Sequence, residues 1–573
     1  MKEILVFLGI ICSLSFASCS SPAEQEFNDT QRLQWWDDAK FGLFIHWGVY
    51  AVPAGIYQER EIPGIGEWIM QRARIPVAEY RKFAGEFNPV RYDPDKWVKM
   101  AKDAGMKYIV ITSKHHDGFA LFETEVSDWN VVDATPYGSD LLQPLAEACR
   151  REGIRLGFYY SQVQDWYHPG GAADGGHWDE AQHGCFDEYL DNIAIPQLKE
   201  ILTNYGEIDI LWWDTPRDHI TTEQAERFLP VIAEHPDIIT NNRIGGGLGG
   251  DFFTPERYIP ITGFPGYRWE VCMTMNNTWG YKSFDHDWKS TRELILQLSH
   301  IVSKGGNFLL NVGPTAEGEI PQPSIERLQQ IGEWMKTNSE AIHGTQASPF
   351  SYLPWGTATI KDQKLYLHVV SWPEDGLLKL PLINKPLNAY TLASPGSPLT
   401  VRQDSGEIEI SVPAEAPDDI LSIVVLEFEG EPNVQPPPTT GKTAKASSVD
   451  RETSLSNLFD DDLNSQWKPL DGENKAWIEI DLEEEVNIGN FTVSEPWRHI
   501  GLRVAWRGRD RSQEFALKYK KDGNWVDIIN GKTTGSGYSQ DFSPVSGRYF
   551  RLEITGPEGE RPVLTRFVLN RVL

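Results

Sequence analysis

The stretch IDILWWDTP, residues 208–216, joins an apolar run to a carboxylate at Asp214. A buried acid is costly unless another group pairs with it or a reaction uses it. Side chains alternate along a strand, so Trp212 shares the face of Asp214 and Trp213 points the other way. The stretch therefore predicts a buried strand that ends at Pro216 and delivers Asp214, with Trp212 beside it, to the rim of a sheet.

Five further apolar runs alternate with amphipathic helical patterns in the first part of the chain. The runs are FGLFIHWG (41–48), MKYIVITSKHHDG (106–118), IRLGFYYS (154–161), DIITNNR (237–243) and NFLLNVGP (307–314). Repetition of strand, helix and strand predicts parallel strands joined by crossover helices. Polar residues come at the C-terminal ends of the runs, where a (β/α)8 barrel assembles its active site. We therefore predict a (β/α)8-like, TIM-type barrel over residues 25–345.

The pattern of the sequence changes after this region. Residues 346–430 alternate apolar and polar positions between turn residues, which predicts a small β-sandwich. Residues 431–448 are rich in Pro, Thr and Ser and are predicted to be a linker. Short strands continue over residues 449–573 and predict a second β-sandwich. The predicted fold class is therefore α/β plus all-β.

Composition limits the partners of the chain. The formal net charge of −29 opposes binding to nucleic acids and acidic membranes, which attract clustered Lys and Arg. Aromatic residues make up 12% of the chain, and flat rings stack on the apolar faces of sugars. We therefore expect no nucleic-acid partner and favour a sugar ligand, although large aromatic cores explain part of this content.

The N-terminal sequence MKEILVFLGIICSLSFASC, residues 1–19, places a short apolar run before small residues and Cys19. The run is too short for a permanent transmembrane helix and predicts a secretory signal segment. Its ending resembles a bacterial lipoprotein signal, which implies a periplasmic or outer-membrane lipoprotein attached to the membrane only by its lipid anchor. Ordinary cleavage with an incidental cysteine is the alternative. After removal of the signal segment, the cysteines besides Cys19 are Cys149, Cys185 and Cys272, which are too widely spaced to predict a disulfide framework or a CxxC metal site.

Asp214 is the first candidate for a catalytic residue. A retaining glycosidase uses one carboxylate to attack the anomeric carbon and a second, about 5–5.5 Å away, to protonate the leaving oxygen. Asp214 is placed to be the nucleophile, although an N-cap or loop aspartate would show the same pattern. Glu256 and Glu270 compete for the role of the acid, and spacing alone does not separate them.

Histidines at strand ends are candidates for binding sugar hydroxyls. The pair His115 and His116 follows one apolar run, and His46 follows another. A metal site is the rival interpretation of the adjacent pair. Metal-binding histidines usually lie at i, i+4 on a helix or i, i+2 on a strand, so we favour hydroxyl recognition and predict no metal.

Several motifs resemble a known enzyme family. They are FGLFIHWG, GEW (66–68), SKHHDGFALF (113–122), GFYYS, LWWD and GGNFLLNVGPTAEGEIP (305–321). With these motifs, residues 30–430 resemble glycoside hydrolase family 29, the α-L-fucosidases. The resemblance implies a retaining exo-enzyme with a (β/α)8-like barrel, a β-sandwich, no required cofactor and Asp214 as nucleophile. The residues that it implies for the fucose pocket are His46, Glu67, Trp68, His115, His116, Tyr160, Trp212 and Arg243, with Tyr159 as a substitute for Tyr160.

Glu256 becomes the preferred acid/base within this resemblance. It lies after the run that ends in Arg243, at a suitable distance along the chain from Asp214. Glu270 is then expected to support the site or to contact substrate in a subsite.

The last predicted domain resembles the discoidin or coagulation-factor type, a galactose-binding-like jelly roll that is common as a carbohydrate-binding module. The resemblance rests on SSVDRETSLSNLFDDDLNSQWKP and AWIEIDLEEEVNIGNFTV. Asp460, Asp461, Asp462 and Asn464 offer oxygen ligands for a structural Ca²⁺ in this domain. A solvated acidic loop is the alternative.

The sequence thus predicts a retaining exo-α-L-fucosidase that removes terminal α-linked L-fucose from oligosaccharides or glycoproteins. Asp214 and Glu256 are the predicted nucleophile and acid/base of a double displacement. Two alternatives remain open: a catalytically inactive glycan-binding surface protein, and a glycosidase or transfucosidase for another galacto-configured sugar.

Overall fold

The computed structural model describes residues 22–171, 177–215, 220–404, 406–496, 513–533 and 537–573. The predicted signal segment with Cys19 lies outside these ranges, as does Pro216. A barrel and two β-sandwiches follow one another along the chain, and each of the sandwiches has a hydrophobic core of its own. None of the helices in the described ranges is long and apolar enough to cross a membrane.

The barrel is built from alternating strands and helices, with a small hairpin after the first strand. Its elements are α1 (Pro22–Ala39), β1 (Phe41–Ile45), β2 (Ile56–Tyr57), β3 (Arg60–Glu61), α2 (Ile69–Arg72), α3 (Val77–Tyr80), α4 (Pro94–Asp103), β4 (Tyr108–Lys114), α5 (Val131–Ala134), α6 (Leu142–Glu152), β5 (Arg155–Tyr160), α7 (Phe186–Tyr189), α8 (Ile195–Thr203), β6 (Ile210–Trp213), α9 (Thr222–Glu226), α10 (Leu229–Ala233), β7 (Ile239–Thr240), β8 (Glu270–Thr274), α11 (Thr291–Val302), β9 (Asn307–Val312) and α12 (Gln322–Asn338).

Seven parallel strands form the main sheet, in the order β7-β6-β5-β4-β1-β9-β8. The segment 252–256 fills the gap between the two outer strands. Its Phe252 bridges Asn241, just beyond β7, and its Glu256 bridges Cys272 of β8. This segment closes the sheet into a ring, so the predicted (β/α)8-like barrel is confirmed, with an irregular segment at one of its eight positions.

Alternation along the strands separates two hydrophobic layers. Phe44, Tyr159 and Trp212 belong to the core inside the barrel, whereas Trp213 belongs to the layer between strands and helices and packs 5.4 Å from Phe228. The opposite orientation of the two tryptophans agrees with the predicted strand periodicity.

The second unit consists of two antiparallel sheets. Its strands are β10 (Gly356–Lys361), β11 (Lys364–Val369), β12 (Leu377–Leu380), β13 (Pro386–Thr391), β14 (Thr400–Asp404), β15 (Glu407–Ser411) and β16 (Ser422–Phe428). The sheet orders are β10-β11-β16-β13 and β12-β15-β14. The indole of Trp334 in α12 donates a hydrogen bond of 2.9 Å to the carbonyl of Leu421, which fastens this sandwich to the barrel.

The C-terminal unit is a second β-sandwich, as predicted. Its strands are β17 (Ala444–Ala446), β18 (Lys475–Ser494), β19 (Glu514–Lys521), β20 (Asn524–Lys532), β21 (Gly537–Thr555) and β22 (Arg566–Arg571).

The predicted linker 431–448 is wrong at both ends. Val434 bridges Leu382 of the first sandwich, so the start of this segment is part of that unit. The strand β17 pairs with β18 and already belongs to the C-terminal sheet. Proline-rich composition did not indicate these pairings because they depend on strands that are distant in the sequence.

Candidate active site

Polar side chains from several strand ends meet at one mouth of the barrel. His46 follows β1, His115 and His116 follow β4, Asp214 follows β6, and Arg243 lies shortly after β7. The C-terminal ends of parallel strands lie at the same edge of a barrel, which brings these residues together. We call this cluster the barrel-mouth pocket.

Asp214 is held as a carboxylate by two strong donors. The Arg243 guanidinium donates to Oδ1 at 2.7 Å, and the hydroxyl of Tyr159 donates to Oδ2 at 2.7 Å. Burial raises the pKa of Asp214, but the charges of Arg243 and His116 and these hydrogen bonds outweigh it and bring the pKa down to about 2. Asp214 is therefore ionised near neutral pH.

The same guanidinium nitrogen, Nη1 of Arg243, also donates to Oε2 of Glu256 at 3.1 Å. Since Oδ1 of Asp214 is 2.7 Å from that nitrogen, the two carboxylate oxygens are at most about 5.8 Å apart. Burial and the negative charge of Asp214 raise the pKa of Glu256 above its usual range, although Arg243 opposes them. One shared cation thus joins two carboxyl groups whose pKa values shift in opposite directions.

Hydrogen bonds to the segment 252–256, which closes the barrel, hold the Arg243 side chain in place. Its Nε donates to Oγ1 of Thr254 at 2.7 Å, and its Nη2 donates to the Thr254 carbonyl at 2.9 Å. The adjacent Glu256 belongs to the same segment. The position of both groups therefore depends on barrel closure.

Strained backbone follows the strand that carries Asp214. Thr215 has a φ of 48°, in the left-handed region that a β-branched residue rarely adopts. Its Oγ1 lies 3.1 Å from Nε2 of His116. The strain turns the chain at the rim of the pocket and brings the threonine hydroxyl to the histidine.

Glu270 does not line the pocket, so of its two expected roles the structure fits support of the site and not contact with substrate in a subsite. It is the first residue of β8, at the opposite end of the barrel from the mouth, and it is fully buried. Its carboxylate accepts hydrogen bonds from Tyr108 at 2.5 Å and from the indole of Trp212 at 3.0 Å. Glu270 therefore lies in the barrel interior beneath the pocket, where it supports Trp212.

Tyr160 was also predicted to line the pocket, and the structure contradicts this. Its hydroxyl donates to Gln197 of α8 at 2.9 Å, so its side chain lies between strand and helix. Tyr159 points inward, bonds to Asp214 and stacks with its ring centroid 5.7 Å from that of Trp212. Strand alternation allows only one of two adjacent tyrosines to face the pocket, and it is Tyr159.

The remaining wall offers uncharged imidazoles. Burial lowers the pKa of His46 to about 4 and holds the pKa of His115 well below its usual range. Nδ1 of His46 lies 2.7 Å from Oδ1 of Asn311, and its ring packs against Trp279. Nδ1 of His115 is buried without a hydrogen-bond partner among the described residues. Neutral imidazoles of this kind donate to or accept from sugar hydroxyls.

Glu67 and Trp68 lie in a short 3₁₀ helix, Gly66–Trp68, beside the histidines. Oε2 of Glu67 accepts a hydrogen bond from the Gly280 amide at 2.8 Å, whereas Oε1 is buried with no partner in the described part of the chain. Burial raises the pKa of Glu67 to about 7. Unsatisfied buried polar atoms are costly, so this oxygen is a ready contact for a ligand hydroxyl.

Two residues of the pocket, Trp166 and Trp279, were not predicted from the sequence. Trp166 packs against Trp68 and His116, and Trp279 packs against His46. Trp279 lies in NNTWGY (276–281), five residues after the last residue of β8, and its place soon after a strand end would have indicated it. Trp166 lies in a long loop, where periodicity carries no information.

The rival metal interpretation has some geometric basis. Donor atoms of His115, His116 and Asp214 lie within 4.8 Å of one another. However, both oxygens of Asp214 already accept hydrogen bonds, and the Arg243 cation beside them repels a second cation. The donor set fits hydroxyl recognition better than metal binding.

The chain is similar to known α-L-fucosidases in sequence and in fold. The family model "Alpha-L-fucosidase" matches residues 12–340, and the model "F5/8 type C domain" matches residues 443–568. An α-L-fucosidase of Dictyostelium discoideum is 30% identical over 458 residues, which are 73% of this chain and 97% of that protein. The crystal structure of an α-L-fucosidase from Vibrio sp. strain EJY3 has a TM-score of 0.73 and 27% identity, and covers 94% of this chain and 98% of that one.

A third relative bears on the chemistry. It is an α-L-fucosidase from Bacteroides thetaiotaomicron, described as a trapped covalent intermediate with 2-fluoro-fucosyl fluoride. It is 29% identical, has a TM-score of 0.62, and covers 70% of this chain and 96% of that one.

The family model covers more than half of the chain, and the pocket holds two carboxyl groups joined by one guanidinium. The protein therefore belongs to the α-L-fucosidases of glycoside hydrolase family 29 and carries a C-terminal F5/8 type C domain.

Proposed function

We propose that the protein is a retaining exo-α-L-fucosidase in which Asp214 is the nucleophile and Glu256 the acid/base. The observation that carries this proposal is the shared contact of Arg243 with both carboxyl groups. It keeps Oδ1 of Asp214 and Oε2 of Glu256 within about 5.8 Å of each other, which is compatible with the separation of about 5–5.5 Å between the carboxyl groups of retaining enzymes. The trapped covalent intermediate of a relative supports the same mechanism.

In the first step, an oxygen of Asp214 forms a bond to the anomeric carbon of fucose while the bond to the leaving oxygen breaks. Glu256 donates its proton to that oxygen, which the raised pKa of its carboxyl group favours. In the second step, Glu256 takes a proton from water, and the water oxygen replaces Asp214 on the anomeric carbon. Terminal α-linked fucose is released with its configuration retained.

The surrounding residues support each charge change. Arg243 and Tyr159 stabilise the carboxylate of Asp214 before attack and when it leaves the sugar. His46, His115 and the unpaired oxygen of Glu67 are proposed to bind fucose hydroxyls. Oligosaccharides or glycoproteins with terminal fucose are the proposed substrates.

The C-terminal module is proposed to bind carbohydrate, with Ca²⁺ in its acidic loop. Asp460 and Asp462 accept hydrogen bonds from backbone amides within the loop, each at 2.9 Å, and Asn464 lies beside them. Arg566 pairs with Asp461 and removes that carboxylate from the candidate ligands. The proposed ion would bind oxygens of Asp460, Asp462 and Asn464 and would displace the hydroxyl of Ser465, which donates to the carboxylate of Asp460 at 3.0 Å.

The protein is further proposed to be a lipoprotein, lipidated at Cys19 and located in the periplasm or at the outer membrane. The apolar N-terminal run with small residues before the cysteine supports this proposal.

The two adjacent tyrosines make a matched test of the pocket. Tyr159→Phe should lower kcat/KM for a chromogenic α-L-fucoside about ten- to hundredfold, because a hydrogen bond to a charged group contributes about 1.5–3 kcal/mol. Tyr160→Phe, which loses only the bond to Gln197, should keep a kcat/KM close to the unmodified value. Equal losses in the two variants would contradict the assignment of Tyr159.

Azide rescue should separate the two carboxyl groups. Asp214→Ala should lower kcat by roughly 10⁴-fold or more, and azide should then yield the β-L-fucosyl azide. Glu256→Ala should be rescued with formation of the α-L-fucosyl azide, because azide attacks the fucosyl-enzyme. Products identified by NMR decide the roles; Glu270→Gln is the control and should form no azide adduct. Rescue of a Glu270 variant in place of Glu256→Ala would reverse the assignment.

Affinity electrophoresis through gels that contain fucosylated mucin tests the C-terminal module. The protein should be retarded in Ca²⁺, and EDTA or Asp460→Asn should reduce the retardation because the calcium loop is lost. Asp471→Asn, an exposed acid of the same domain, is the control. Mobility that is unaffected by mucin contradicts glycan binding, and retardation that is insensitive to EDTA contradicts the calcium site.

Detergent phase partitioning tests the lipid anchor in a bacterium that expresses the full chain. The mature protein should enter the detergent-rich phase, and Cys19→Ser should move it to the aqueous phase. Cys12→Ser, within the apolar run, should behave like the unmodified protein. Identical partitioning of the Cys19→Ser variant would show that this cysteine carries no lipid.

A further inference from the structure

Three side chains outside the proposed fucosidase mechanism, Ser127, His168 and Asp165, are linked by hydrogen bonds in a row. Oγ of Ser127 is 2.6 Å from Nε2 of His168, and Nδ1 of His168 is 2.8 Å from Oδ2 of Asp165. A serine, a histidine and an aspartate in this order form the arrangement that activates a serine for attack on a carbonyl carbon.

Asp165 is held rigidly in its ionised form. Its Oδ1 accepts hydrogen bonds from the backbone amides of Tyr167 and His168, each at 3.0 Å. Its Oδ2 accepts a hydrogen bond from Nζ of the buried Lys114 at 3.0 Å. Burial raises the pKa of Asp165, but His168, Lys114 and these hydrogen bonds outweigh it and hold the pKa well below its usual range. An ionised Asp165 places the imidazole proton on Nδ1 and leaves Nε2 free to accept the proton of Ser127.

Solvent exposure increases from Asp165 and His168 to Ser127, so the hydroxyl that would attack a substrate is the most accessible of the three groups. Asp165 and His168 are buried, whereas Ser127 is half-buried in a surface loop. Oγ of Ser127 accepts a hydrogen bond from the backbone amide of Trp129 at 3.2 Å. The hydroxyl proton of Ser127 is then free to point to Nε2 of His168. The nucleophile is thus accessible while its base is shielded.

Backbone amides near Ser127 are available for an oxyanion. In the described ranges, the N–H groups of Ser127 and of the following Asp128 donate to no protein acceptor. In other serine hydrolases, the amide after the nucleophile contributes to the oxyanion hole.

We propose that Ser127, His168 and Asp165 form an acyl-transfer site that hydrolyses short O-acyl esters of carbohydrates. Oγ of Ser127 forms a bond to the ester carbonyl carbon and gives its proton to Nε2 of His168. The bond to the sugar oxygen breaks, and that oxygen takes the proton from His168. Water then attacks the acyl-serine in the same way, releasing the carboxylic acid and restoring Ser127.

The site's position argues for a carbohydrate ester. Trp166 follows Asp165 directly, its amide donates to the carbonyl of His116 at 2.6 Å, and its ring packs against Trp68. The loop with Asp165, Trp166 and His168 therefore contributes residues both to the barrel-mouth pocket and to the site at Ser127. An acylated glycan is the ligand class that would meet both sites.

A fluorophosphonate probe tests the reactivity of Ser127 directly. The full-length protein should be labelled, and peptide mapping should place the label on Ser127. Ser127→Ala should abolish labelling. Ser348→Ala is the matched control, because Oγ of Ser348 also accepts a hydrogen bond from the amide two residues ahead but contacts no imidazole within the described ranges. Absence of label from the unmodified protein, or a label elsewhere, would overturn the proposal.

Hydrolysis of p-nitrophenyl acetate provides the second measurement. Ser127→Ala and His168→Gln should each lower ester hydrolysis at least about tenfold. Ser127→Ala should still cleave the chromogenic α-L-fucoside at the unmodified rate, which shows that it folds. Asp214→Ala should keep the esterase activity, so failure of either proposed activity is recognised independently. Ester hydrolysis that survives in Ser127→Ala would refute the site.

Discussion

The contact of one guanidinium with two carboxyl groups is the constraint on which the active site depends. Arg243 joins Asp214 and Glu256 through a single nitrogen, at 2.7 and 3.1 Å. Two carboxylates brought so close would repel each other in a buried site, and the shared cation offsets that repulsion. Arg243 helps to hold the pKa of Asp214 down at about 2, whereas burial and the charge of Asp214 raise the pKa of Glu256 against the effect of Arg243. The pKa values of two carboxyl groups on one cation therefore shift in opposite directions.

The shared contact depends in turn on how the barrel closes. The segment 252–256 replaces a regular strand between β7 and β8, and it supplies both Thr254, which orients Arg243, and Glu256. Close approach is needed where this segment begins: a Cβ on Gly250 would lie 2.1 Å from the Asn241 carbonyl. Thr254 and Glu256 are two residues apart, a spacing that places both side chains on the same face of an extended segment. Both therefore reach the guanidinium of Arg243.

The sequence predicted the barrel and most of the pocket because both follow from local patterns. Alternation predicted the opposite faces of Trp212 and Trp213, and strand-end positions predicted His46, His115 and Asp214. Prediction from the sequence failed where the orientation of a side chain depends on the register between neighbouring strands. Tyr159 pairs with Trp212 across β5 and β6, and this register determines which of two adjacent tyrosines faces inward. The expectation that Glu270 contacts substrate in a subsite failed for a related reason, since a short window does not tell the start of a strand from its end.

By itself, the sequence determined the order of the units, the strands that build the barrel and the residue types at their ends, because apolar periodicity and turn residues are local properties. Only the tertiary structure decided which carboxyl group faces Asp214, which tyrosine binds it, and that Ser127 meets His168. Each of these outcomes depends on the distance between atoms from segments far apart in the chain. Such distances are set by strand register, by barrel closure and by the path of the long loops, which no local pattern encodes.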